Sequence, residues 1–307
     1  MNLQRIPYKS MDLVQTEEVQ TPGGQTFRIP KLYYPVTTRE NFRRMNEGDH
    51  PFWCPTSLTD FRYVTAEQLL TEAEAGFTHQ AIQENGEPSK MLYLDMGPGP
   101  IQMQEVFSRI PGAPELSAKA FAEMLCAKLD KILAFTPVDL VLYRDDWAEA
   151  ANAADRGENI LELPEAEAAD LFFRHVQSKG IPVTFRCKCL TEQMVDQVVK
   201  LRPDYLQLTG DLRYFFDYRD RFGDFLGMDV VLDGQTEKEA ADRMRYAVEQ
   251  FAYKGRMMVT IGLVSEEGLW GGLQEVHNYS QEAYQDPETF GKNLEKILKG
   301  HSHHHDH

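Results

Sequence analysis

Residues Gly180 to Leu190 read GIPVTFRCKCL, and the fold of the chain is decided by this stretch. After the turn signal at Gly180, Ile181-Pro182-Val183-Thr184-Phe185 is a short, apolar, β-branched run, the pattern of a buried strand. Pro182 suits the first residues of a strand, where a missing N–H costs least. Side chains two apart on a strand share a side, so the pattern predicts Cys187 and Cys189 projecting together, with Arg186 and Lys188 on the other side. Two thiols beside two cations that favour thiolate could make half of a soft-metal site; the plainer alternative is two small, half-buried thiols in a reducing cell. A closed structural zinc site takes four ligands, and the chain has this one Cys-x-Cys.

The flanking sequence alternates. Upstream, Pro164 to Lys179 reads as a helix with Pro near its start and Gly180 at its end. Before it, Val138 to Tyr143 is an apolar strand running into Arg144-Asp145-Asp146-Trp147. Ser117 to Phe135 precedes that as a helix with Phe121, Met124, Leu125, Leu129, Ile132 and Leu133 on one face. Downstream come a helix from Thr191 to Leu201, a strand from Tyr205 to Leu208, an aromatic helical stretch from Asp211 to Phe222, and a strand from Met228 to Leu232. A helix from Thr236 to Tyr253, a strand from Met257 to Ile261 and a helix from Pro287 to Leu298 complete the series. Strand–helix alternation of this kind calls for parallel strands with right-handed crossovers. No nucleotide-binding Gly fingerprint opens the first unit, so the expectation is an α/β fold, a single (β/α)8 TIM-type barrel over residues 37–300, in place of a doubly wound sheet.

The N-terminal half is read as an arm or short hairpin over residues 1–36, then a helix from Thr38 to Gly48. Phe52 to Leu58 is the first candidate barrel strand, ending beside Asp60. Thr65 to Ala75 reads as a capped acidic helix. Phe77 to Gln83 and Met91 to Asp95, flanking Asn85-Gly86, predict a hairpin insertion. Met96-Gly97-Pro98-Gly99-Pro100 lacks both phosphate-loop and dinucleotide spacing and reads as a bend. The His-rich tail, residues 301–307, is excluded from fold reasoning as a possible tag.

Across 307 residues the chain is 42% hydrophobic and 26% charged, a soluble globular composition. A formal charge of −16 argues against nucleic acid and anionic membrane surfaces as partners. Four cysteines, Cys54, Cys126, Cys187 and Cys189, are too few and uneven for a disulfide framework. With no membrane-length apolar run and no signal-peptide core at the start, the expected location is cytoplasmic.

Several stretches together resemble the uroporphyrinogen decarboxylase superfamily, in particular its corrinoid-dependent methyltransferase-like branch. They are Thr37 to Gly48 followed by Pro51-Phe52-Trp53, Val138 to Trp147, Gly180 to Val183 with its polar sequel, and Val230-Val231-Leu232-Asp233-Gly234 before a Glu-rich helix. The similarity is one of pattern, spread over about residues 36–262. It implies a barrel with its site at the C-terminal strand ends, a small methylated substrate, and a corrinoid carried by a partner protein. The methyltransferases of this group usually hold zinc with His-x-Cys at the end of the central strand and a later Cys. Here an ungapped match places Arg186 and Lys188 at the first two positions, and a one-residue slide places Cys187 and Cys189 there. No cysteine follows Cys189, so a third ligand would be His277, Glu275 or another oxygen donor. The decarboxylases of the superfamily use an arginine-rich N-terminal segment and an Asp, of which Asp60 and Arg62 form a fragment.

Asp145 and Asp146 sit where a barrel strand gives way to its loop, the position that supplies catalytic groups, and either could also be a loop cap or the partner of Arg144 or Arg156. They are the candidate catalytic pair, with Cys187 and Cys189 as candidate zinc ligands. Arg186 and Lys188 suit a carboxylate or phosphate. Asp60 is a substrate-binding candidate by position. His277, after the Gly-rich Gly268 to Gly272, is another, in what reads as a loop able to close as a lid. The leading expectation is methyl transfer between a small substrate and a corrinoid carrier. Tetrapyrrole decarboxylation is the second, and a non-catalytic binding or partner subunit of a corrinoid system the third.

Overall fold

The structure, a computed structural model, describes residue 6 and residues 15–20, 24–32, 34–76, 90–223, 225–234 and 236–303. It comprises two compact units, Met1–Asp60 with Phe215–His307, and Phe61–Tyr214.

The first unit opens with β1 (Thr16–Gln20) and β2 (Thr26–Pro30), an antiparallel hairpin in the stretch read as arm or hairpin. Helix α1 (Thr38–Asn46) starts where the Thr37 hydroxyl accepts from the Glu40 N–H. Its buried Asn41 accepts from the Phe52 N–H and donates to the Trp53 carbonyl, fixing the chain that follows. The expected strand from Phe52 to Leu58 is reduced to one parallel bridge, Thr56 to Val259. The cause is local: the Asp60 carboxylate takes the Thr56 N–H and Asp60 N–H returns to the Thr56 carbonyl, bending the chain into a turn.

The second unit runs β3 (Phe61–Thr65), α2 (Ala66–Glu74), β4 (Met91–Pro98), α3 (Pro100–Ser108), α4 (Ala118–Leu133), β5 (Leu140–Asp145), α5 (Ala148–Asp155), α6 (Pro164–Ser178), β6 (Val183–Cys187), α7 (Glu192–Lys200) and β7 (Tyr205–Leu208). All its strand pairings are parallel. The Asn85-Gly86 turn and the 77–83 half of the expected hairpin lie outside the described residues. Met91–Pro98, the other half, pairs in parallel with both β3 and β5. Thr65 and Gln68 close a reciprocal capping box on α2, as the sequence signalled. Gly180 takes φ +74° after α6, a left-handed turn that a side chain would strain. On α4 the buried face is Phe121, Leu125, Leu129 and Ile132, whereas Met124, assigned to that face, is 51% exposed.

The first unit resumes with a short 3-10 turn (Leu212–Phe215 spans its border), α8 (Tyr218–Arg221), β8 (Gly227–Gly234), α9 (Glu237–Ala247) running into a π turn at Val248–Ala252, β9 (Met257–Val264), α10 (Glu266–Gln285) and α11 (Pro287–His303). Strands β8 and β9 pair in parallel. The seven parallel strands β3 to β9 therefore follow chain order, alternating with helices, which is the α/β barrel-type architecture expected. The Gly-rich stretch read as a lid is instead the start of α10, capped by the Ser265 hydroxyl on the Gly268 N–H. A Cβ at Gly271 would lie 2.6 Å from the Glu237 carbonyl, and one at Gly272 2.5 Å from the Leu232 side chain. Those glycines serve close packing of α10, and no loop remains there to close. Among the described residues no helix is long and apolar enough to cross a membrane.

Candidate functional site at the ends of β4, β5 and β6

Alternation along β5 and β6 sorts the candidates. Tyr143 and Phe185 lie against Phe172 and Phe173 of α6, with ring centroids 5.1 to 5.4 Å apart for three of the pairs. That side of the sheet is sealed by aromatic packing. Asp145 and Cys187, two residues further along each strand, turn toward the same helix-covered side. Arg144 and Arg186, which are register partners, therefore face the opposite side together with Thr184.

Asp145 is 1% exposed, and its carboxylate accepts from the N–H groups of Ile101, Gln102 and Asp146 at 3.0 to 3.1 Å. It caps α3 from a neighbouring strand, because Gly99 at the cap position has no side chain to do so. A Cβ on Gly99 would meet the Asp145 Cγ and the Arg144 carbonyl at 2.5 Å, so the bend at Met96 to Pro100 is shaped to receive this carboxylate. Burial pushes the Asp145 carboxyl up to about 6 against the pull of its three N–H donors.

Asp146 is placed otherwise. The Cys189 thiol donates to its Oδ1 at 2.9 Å, and the Lys188 ammonium stands 3.4 Å from Oδ2. The Cys189 hydrogen bond, then Lys188 and the Ala148 N–H, hold its carboxyl below the usual value. The same contact works in reverse on the sulfur: desolvation first, then Asp146, raise the Cys189 thiol. Cys187 is pushed up further by burial. Cys189 lies beyond the end of β6, in a turn, so the two-residue strand period does not govern it. The four residues do gather at the ends of adjacent strands, with Asp145 and Cys187 turned inward to the helices and Asp146 and Cys189 at the rim.

A second group was not foreseen as a set. Arg144 Nε donates to both oxygens of Asp95 at 3.1 and 3.2 Å, and Asp95 also accepts from the Gly97 N–H at 2.8 Å and from the Tyr63 hydroxyl at 3.4 Å. The terminal nitrogens of Arg144 and the whole Arg186 guanidinium meet no hydrogen-bond or ion-pair partner among the described residues. Arg156, the other cation considered for the aspartate pair, is bound to Glu158.

Asp60 and His277 belong to the other unit and are buried. The Asp60 carboxylate accepts from Trp53 Nε1 at 2.9 Å, the Thr56 N–H at 2.8 Å and the Thr59 hydroxyl at 2.9 Å. His277 lies in the middle of α10, edge-on to Tyr34 at 6.4 Å. Cys54 and Cys126 are buried free thiols.

Cys187 and Cys189 supply two of the four donors of a closed zinc shell, one of them already bonded to Asp146. Among the described residues no three His, Cys, Asp or Glu side chains gather to hold a metal ion. In this arrangement the donors do not fit zinc, and no step is derived through one.

No family model matches the chain. No curated protein matches it either. Solved structures do. A methyltransferase from Methanosarcina mazei is 10% identical over 66% of this chain and 62% of its own, with a TM-score of 0.41; the chain thus spans less than two thirds of that protein. A 3-keto-L-gulonate-6-phosphate decarboxylase from Vibrio cholerae is 10% identical over 73% of this chain and 86% of its own (TM-score 0.39). An aldo-keto reductase from Bacillus halodurans is 11% identical over 88% of this chain and 96% of its own (TM-score 0.40). Three different chemistries at such similarity carry no inference about the reaction.

Asp95 was the residue the sequence reading passed over. It stands three residues before the end of β4 (Met91–Pro98), a strand that the sequence signals as half of a hairpin insertion and that pairs instead in parallel with β3 and β5, so the positional rule for barrel strands does not reach it from sequence alone.

Proposed function

We propose that the chain is a β/α-barrel enzyme of the uroporphyrinogen decarboxylase-like kind. Its reaction is methyl transfer between a small methylated substrate and a corrinoid carried by a partner protein. The observation that supports this reading is the Cys189 thiol at 2.9 Å from Asp146, at the C-terminal ends of neighbouring strands. When a methyl group leaves a substrate heteroatom, the bonding electron pair stays on that atom, which then needs a proton. Cys189 holds its proton because of burial and Asp146, and Lys188 keeps the neighbouring carboxylate ionised. A thiol so placed donates to the leaving heteroatom and is restored from solvent through Asp146. The corrinoid supplies the nucleophile that takes the methyl group.

The test is methyl transfer to a free reduced corrinoid from O-, N- and S-methyl donors. Asp146→Asn and Cys189→Ala each lower the rate by about 10²-fold or more, the usual scale of a general acid–base contribution. Absence of transfer from every donor class would remove the methyl reading, and so would full activity in both variants.

A further inference from the structure

We propose that the substrate of this site carries an oxyanion, a carboxylate or a phosphate, held between Arg144 and Arg186. The inference rests on reading the ends of β4 to β6 as the substrate site, and it does not depend on methyl transfer as the reaction.

The two arginines are register partners on adjacent parallel strands. Backbones of such strands run about 4.8 Å apart, so two guanidinium groups start from close quarters on one face of the sheet. Like charges so placed repel. Asp95 neutralises only one of them, and it does so through Nε, leaving both terminal nitrogens of Arg144 open. Arg186 has no counter-charge among the described residues, in a chain of formal charge −16 in which carboxylates outnumber basic residues. A free cation is therefore a local arrangement, not a shortage of anions.

Asp95 is itself fixed by the Gly97 N–H and by Tyr63, so the Arg144 fork is oriented before any ligand arrives. One step down the same face, Thr184 is fully buried with its hydroxyl unpaired, a further polar group without a protein partner. Two forks presented from neighbouring strands match the planar geometry of a carboxylate or the oxygens of a phosphate, which arginine binds in bidentate fashion. The Lys188 ammonium at the rim is already engaged by Asp146 and is not needed for the clamp.

The experiment is isothermal titration of the full chain with inorganic phosphate, acetate and succinate, repeated on Arg186→Gln, Arg186→Lys, Arg144→Gln and the remote control Lys238→Gln. The expected result is saturable binding of the carboxylate or the phosphate probe, weakened about tenfold or more in Arg186→Gln and Arg144→Gln and less in Arg186→Lys. Which probe binds more tightly assigns the source of the oxyanion. Lys238→Gln, with its side chain 86% exposed on α9, binds as the unaltered chain does. Melting curves of the arginine variants that match the parent keep loss of binding distinct from loss of fold. No binding of any probe would overturn the proposal. So would unchanged binding in folded Arg186→Gln, or equal weakening by Lys238→Gln. If the clamp binds and no methyl donor reacts, the anion site stands and the proposed reaction falls.

Discussion

Two polar clusters of this chain look alike in sequence and differ in the structure. Around Asp60, each carboxylate oxygen is taken: Oδ1 by the Trp53 indole, Oδ2 by the Thr56 N–H and the Thr59 hydroxyl. At the ends of β4 to β6, Asp95 is likewise filled, yet the cations beside it are left with open nitrogens. A closed network holds chain segments in place; an open one has donors to spare for something else. The difference lies in bookkeeping of donors and acceptors, not in the kinds of residue present.

The largest effect is expected at Asp60. Replacing it with Ala leaves two buried donors, the Trp53 indole and the Thr56 N–H, unsatisfied and is expected to cost about 3 kcal/mol of stability, read from urea unfolding. A loss within experimental error would mean that the turn from Thr56 to Asp60 does not depend on this carboxylate.

The adjacent aspartates respond to pH in opposite directions. Asp145 has a folded-state value raised to about 6, so the stability it contributes is fully present below the unfolded value and is lost as pH rises through about 6. Asp146 is lowered, so its contribution is present above the unfolded value and is lost as pH falls through its folded value. Between pH 4 and 7 the Asp145 effect should outweigh that of Asp146, as a decline on the order of 1 to 2 kcal/mol. Asp145→Asn should flatten that segment of the stability profile while Asp146→Asn leaves its slope in place; the reverse pattern would refute the assignment.

The smallest effect is expected at Arg186. Its replacement by Gln breaks no side-chain hydrogen bond among the described residues and relieves repulsion from Arg144, so stability should change by no more than about 0.5 kcal/mol, toward greater stability if at all. A large loss would show that Arg186 belongs with the closed clusters after all.

How much of this was legible beforehand follows from what sequence periodicity can register. The helices around Phe121 and Pro164 and the strand at Val183 declare themselves through apolar spacing and end signals, and they stand where the spacing put them. Strand β3 is five residues long with Arg62 turned to Glu72, too short and too mixed to display a period. The Gly-rich start of α10 differs from the loop its composition suggests because glycine reports closeness of packing as readily as a loop, and only the position of Glu237 tells which. For the site, the alternation of Arg144 with Asp145 was readable, but not which neighbour each side chain would meet. Asp145 fills a vacancy created by Gly99, about 46 positions earlier in the chain, and spacing along one strand cannot show that.

The grip of Asp95 on Arg144 has a consequence for how a visitor would be received. One guanidinium is already aimed and has little freedom left to lose, whereas Arg186 has no such bond among the described residues to orient it. Arrival would then be ordered in time, first a landing on the stationary prong, then a closing of the loose one. Lysine should be forgiven at 186, where reach matters, and resented at 144, where the angle was set in advance.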